Sequence, residues 1–122
     1  MPYIVELERK WIADGNTILS VGMLTYAITD ALLSLPLGAD ITSVIREKID
    51  EYIDAAGQPS FQLYAEVLGA LQAVRLEFHR REPRKLFTRQ VSRAVRVVTS
   101  DFYSQVIGPY EDQKIAQNGD VF

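Results

Sequence analysis

The chain has 122 residues, 48% of them hydrophobic and 24% charged, with a net charge of −3 and no cysteine. That length suits one domain that builds a core without cross-links, and the composition is too apolar for a disordered chain. The lack of cysteine excludes disulfides, thiolate nucleophiles and cysteine-held metals.

The opening stretch from Met1 to Lys10 carries acids where a secretory signal would carry bases. The longest apolar run, Ala31 to Leu37, is interrupted by Ser34 and Pro36 and falls far short of a bilayer span. A cytoplasmic protein with no membrane association is the expectation.

Taken in chain order, the breaks at Gly15-Asn16, Gly22, Pro36 with Gly38, Gly57 with Pro59, Pro83, Gly108-Pro109 and Asn118-Gly119 separate helix-sized segments. Glu6 to about Ser20 reads as a loose helix with Leu7, Trp11 and Ile18 on one seam and a break near Gly15. Met23 to Leu35 comes next, with Leu24, Ile28, Ala31, Leu32 and Leu35 on one stripe and Pro36 as its stop. Asp40 to Ala56 is the clearest helix. Ile41, Val44, Ile45, Ile49, Tyr52, Ile53 and Ala56 keep the three-and-four spacing, Asp40 is a fit N-cap, and Gly57 sits where a helix ends.

Ser60 to Arg81 is the longest helix, apolar over more than one face and therefore expected to be central. Leu86 to Ile107 is rich in β-formers such as Val91, Val95, Val97 and Val98, yet Phe87, Val91, Ala94, Val95, Val98, Phe102 and Val106 form a helical stripe opposite Arg89, Arg93 and Arg96. Pro109 then opens a short capped helix, with Glu111 and Asp112 in its first turn and Asn118-Gly119 as its end. The reading is an all-α fold: a compact bundle of about five helices plus a short capped C-terminal helix, forming one domain over residues 1–122, with residues 109–122 as a docking segment ending in Val121-Phe122.

No phosphate loop, dinucleotide fingerprint, nucleophile elbow or histidine pair occurs, so an enzyme is the less favoured reading and no cofactor is expected. His79, the sole histidine, fits interaction with helix-end carbonyls better than catalysis. Glu47, Asp50, Glu51 and Asp54 have the spacing a divalent metal would need in a helical nucleotide pyrophosphohydrolase, although a solvated face with an Arg46–Asp50 ion pair explains them more simply.

Charge is polarised. From Arg75 to Arg96 there are eight bases and two acids, a local +6, so the remainder carries −9. Arg89, Arg93 and Arg96 on one face call for an anionic counterpart, either phosphate or the acidic face of the Asp40 to Ala56 helix in this chain or a partner. The acidic total favours a protein partner over nucleic acid. A phosphate-bearing ligand held by Arg89, Arg93, Arg96 and Tyr110 is the alternative. Tyr26, Tyr64 and Tyr103 could line a pocket but more commonly pack.

Four stretches carry a resemblance: Met1-Pro2-Tyr3-Ile4; Gly22-x-Leu24-x-Tyr26-x-Ile28-Thr29; Glu66-Val67-x-Gly69 continuing to Arg75-Leu76-Glu77-Phe78-x-Arg80-Arg81; and Pro109-Tyr110-Glu111-Asp112-x-Lys114-Ile115-x-x-Asn118-Gly119-Asp120-Val121-Phe122. In these the chain resembles a family of small, functionally uncharacterised proteins of tailed phages and some prokaryotic genomes. The resemblance implies a phage or mobile-element setting, an important terminal segment and no particular activity. In the family pattern the Arg-Arg helix end leads almost directly into the tail, whereas Glu82 to Gly108 intervenes here, and the Arg89 stripe lies in that extra segment. Residues 66–81 and 90–105 overlay without a gap, matching Val67 with Val91, Ala70 with Ala94 and Phe78 with Phe102. The residues as a whole point to a self-associating helical interaction module.

Overall fold

The computed structural model describes residues 4–36 and 38–120. Met1 to Tyr3 and the Val121-Phe122 end lie outside the described residues, and with them the expected apolar terminus. Every regular element described is helical: α1 (Glu6–Ala13), α2 (Val21–Leu33), α3 (Ile41–Ala56), α4 (Phe61–Arg81), α5 (Leu86–Phe102) and α6 (Gly108–Asn118), with a π-helical turn (Tyr103–Ile107) joining the last two. None is long and apolar enough to cross a membrane.

The three central helix starts share one chemical device. The Ser20 and Ser60 hydroxyls accept the backbone N–H of Met23 and Leu63 at 3.2 and 3.1 Å. Asp40 accepts those of Thr42 and Ser43 at 3.0 and 3.4 Å. Each satisfies donors that the first turn of a helix leaves without a partner. Hydrogen bonding by Ser43, first through its hydroxyl and then its backbone, holds the Asp40 carboxyl below its ordinary value. At its far end α3 stops at Gly57, whose φ of +79° is a conformation that side chains disfavour.

Helices α2, α4, α5 and α3 form a closed ring of neighbours, each packed on the next, while α1 leans chiefly on α2. Because α3 and α4 are consecutive but barely touch, the four-residue connection between them crosses the ring. The core fills the ring interior. Leu24, Ile28, Ile45, Val67, Leu71, Val74, Val91 and Val98 are all almost fully buried there, each contributing about 1.5–3 kcal/mol before conformational entropy.

Gly22 does not break the chain; it lies within the first turn of α2, where Ser20 capping starts the helix ahead of it. Thr25 and Thr29 are buried in α2 because their hydroxyls donate to the carbonyls of Val21 and Thr25, four residues back. The overlay of α4 on α5 holds in burial as well as identity: Val67 and Val91, Ala70 and Ala94, and Phe78 and Phe102 are buried in pairs.

Gly108-Pro109 also fails to break the chain. The expected terminal helix is present, but it grows out of α5 through the π-helical turn, in which the Gly108 N–H donates to the Tyr103 carbonyl five residues back. A proline inside an α-helix clashes with the carbonyl four residues earlier, and a π-turn relieves that conflict by adding one residue to the turn. The extra residue also rotates the end of the turn. Ile107 lies eighteen positions after Arg89, roughly five full α-turns, so an unbroken helix would point it outward with the arginines. Instead Ile107 is only 3% exposed.

Candidate functional site

Arg89, Arg93 and Arg96 occupy one outward sector of α5, all exposed, and among the described residues none has an ion-pair partner. The acidic face of α3 does not meet them within the chain. The α3–α5 seam carries an ion pair of the opposite sense, from Arg46 on α3 to Asp101 on α5. Arg46 therefore does not bridge to Asp50 along its own helix, because Asp101 reaches it across the seam.

The stripe divides between two hollows. Arg93 leans toward the start of α3, beside Asp40 and Thr42, where Asp40 already occupies the free N–H groups. Arg96 leans the other way, into a groove of about 570 Å³ between α4 and α5. Leu68 and Val95 form its floor, and Arg75, Gln72, Ser92, Thr99 and Ser100 its walls. The Arg75 Nε donates to Gln72 Oε1 at 2.9 Å, which fixes the guanidinium. No acid lines the groove. Arg89 lines neither hollow.

Tyr110 stands apart from the stripe. Its ring meets Tyr64 edge-on at 5.3 Å, Tyr64 meets Phe102 in the same manner at 5.8 Å, and the Lys114 ammonium lies 5.5 Å from the Tyr110 ring centre. This aromatic run fastens the base of α6 to α4. Tyr110 and the arginines thus do not form one constellation.

The four acids of α3 are exposed but not gathered. Glu51 and Asp54 border a hollow against the Gly15 to Ile18 loop, with Lys48 3.6 Å from Glu51. Asp50 borders a different hollow with Arg46 and Asp101, and Glu47 borders neither. Among the described residues no three of the types His, Cys, Asp and Glu come together as metal ligands.

Two acids, the half-buried Glu66 and the buried Glu77, make contacts outside the expected sites. Tyr52 donates its phenolic O–H to Glu66 at 2.6 Å, joining α3 to α4. Glu77 is only 5% exposed and accepts from both Arg80, at 2.9 Å, and Arg81. Burial on its own would raise the Glu77 pKa, but the two guanidinium hydrogen bonds outweigh it and hold the carboxyl below its ordinary value. Glu77 lines a cleft of about 240 Å³ with Thr29, Leu33 and Phe78, near the end of α2. His79 is exposed beside it.

The outer side of α4 is unusual for a different reason. Being packed on α2 and α5, it leaves a third side open, and there Phe61, Ala65, Gly69, Gln72 and Leu76 are exposed in a row. Phe61 is 63% and Leu76 52% exposed. The row carries no charge over about four turns. A Cβ built on Gly69 would meet no atom within 4 Å, so the surface is shallowest at its centre. The signal lay in the sequence as an apolar helix with more hydrophobic positions than two neighbours cover.

No family model, curated protein or solved structure matches the chain.

Proposed function

We propose that this chain is a non-catalytic helical interaction module whose α4 row pairs with the same row of a second copy. The observation that carries this reading is the uncharged exposed row itself, Phe61, Ala65, Gly69, Gln72 and Leu76. Solvated helix faces of globular domains are ordinarily polar or charged.

The row is self-complementary. Laid antiparallel on its copy, Phe61 falls opposite Leu76, Ala65 opposite Gln72, and the half-buried Leu68 opposite Gly69, so the bulky residues meet at the two ends of the row and the small Gly69 admits Leu68 at its centre. Such a two-fold contact uses one patch twice and closes on itself. Removing Phe61 and Leu76 from water on both copies contributes about 4–8 kcal/mol. Association costs about 4–15 kcal/mol, which these two side chains offset only in part, so the proposed pairing is weak, reversible and dependent on the rest of the row. The likeness of the Pro109 to Phe122 tail to phage proteins supports a phage or mobile-element setting.

Sedimentation across low to high micromolar concentration tests the pairing. The apparent mass is expected to rise with concentration in the parent. Ala65→Glu and Leu76→Glu are expected to abolish that rise while leaving the melting temperature unchanged, since both side chains are already in water. A parent that stays monomeric at the highest concentration would overturn the proposal.

A further inference from the structure

We infer that the groove between α4 and α5 is a binding site for a small phosphate ester, its charged head on Arg75 and Arg96 and its carbon body against Leu68. The groove is lined by two guanidinium groups and no carboxylate. Arg96 and the hydroxyls of Ser92, Thr99 and Ser100 have no partner among the described residues. Gln72 spends its amide oxygen on Arg75, which leaves its NH₂ as a further donor. The polar wall is therefore rich in uncommitted donors, and an oxyanion satisfies it.

The floor narrows the ligand class. A bare phosphate would leave the half-buried Leu68 uncovered in a groove of about 570 Å³, a volume within the ordinary range of small-molecule sites. A phosphate joined to a ring or short hydrocarbon covers it. Nucleic acid fits less well, because a backbone-tracking site would continue along Arg89 and Arg93, and Arg93 borders a different hollow while Arg89 does not line the groove.

Phenyl phosphate, inorganic phosphate and phenol, titrated at matched ionic strength into isotope-labelled protein, test the assignment. Phenyl phosphate is expected to shift the backbone signals of Leu68, Ser92, Val95 and Thr99, and to bind more tightly than either fragment. Arg75→Gln and Arg96→Gln are each expected to weaken it by about tenfold, while Arg89→Gln leaves it unchanged. Shifts spread evenly over Arg89, Arg93 and Arg96 would indicate loose counter-ion association and overturn the site, as would equal binding of phenol or no binding at all. Leu68 and Gln72 border both the groove and the pairing row, so the titration is run at a concentration where sedimentation shows monomer, and sedimentation of the same arginine variants reads self-pairing on its own.

Discussion

The phenol of Tyr52 donates to Glu66 across the α3–α4 diagonal of the ring, a polar tie between two helices that are otherwise scarcely in contact. Burial, then the hydrogen bond to Glu66, raises the Tyr52 pKa. A raised folded pKa contributes stability that is complete below the unfolded tyrosine value of about 10 and is lost as pH rises beyond it. Urea midpoints are therefore expected to fall above that pH in the parent and to fall less steeply in Tyr52→Phe. Near neutrality the substitution is expected to cost about 1–2 kcal/mol.

Glu77 and its arginines form an asymmetric pair, because the acid is buried and both bases reach water. Glu77→Gln leaves two guanidinium groups that solvent accommodates, and is expected to cost under about 1 kcal/mol. The double variant Arg80→Gln with Arg81→Gln strands a buried carboxylate, and is expected to cost about 1–3 kcal/mol. The pH response differs in sign. In the parent the depressed pKa gives stability present above the ordinary glutamate value of about 4.3 and lost as pH falls through that region. With the arginines gone, burial acts unopposed and this residue's contribution weakens as pH rises through the same range. Urea titrations from acid to neutral pH distinguish the two.

Leu71 and Leu76 sit on one helix with opposite environments, 1% and 52% exposed. Leu71→Ala is expected to cost about 2–5 kcal/mol, the usual range for a core leucine. Leu76→Ala is expected to change stability by less than about 0.5 kcal/mol. Chemical denaturation at low protein concentration measures both, and equal losses would place the open side of α4 elsewhere.

The π-helical turn admits a direct test. Deleting Gln105 together with Pro109→Ala removes the extra residue and the ring that demands it. An ordinary α-helix then carries Ile107 and Tyr110 round to the same inward side. Thermal melting within a few degrees of the parent and an unchanged near-ultraviolet tyrosine spectrum are expected. Ile107→Asp, which keeps the turn but charges its buried side chain, is expected to release α6 and alter that spectrum.

Legibility in the sequence tracked the range of the forces involved. Helix α3 was readable at nearly every position, since its cap, stripe and Gly57 end are set by residues within four places of one another. The capping of α2 by Ser20, with Gly22 carried inside the helix, was less readable, because glycine is compatible with both a break and a first turn. Local periodicity puts Ile107 out of phase with Phe102 and Val98, but a helix that simply ends near Ile107 and one that passes through a π-turn both fit that break. The Arg46–Asp101 pair and the meeting of Arg75 with Arg96 depend on which helices are neighbours. That adjacency belongs to the ring and is absent from any single segment.

Helix α1 contributes no buried residue of its own. It is kept in place by Ile4 before it, Ile12 at its inner edge, Ile18 after it, and a bond from the Trp11 indole to the Thr17 carbonyl. Detaching it would sacrifice few core contacts, so its amide protons should exchange with solvent at a much smaller opening free energy than those of α4 or α5. A molecule of this design could shed its first helix as an independent unit while the four-membered ring stayed shut.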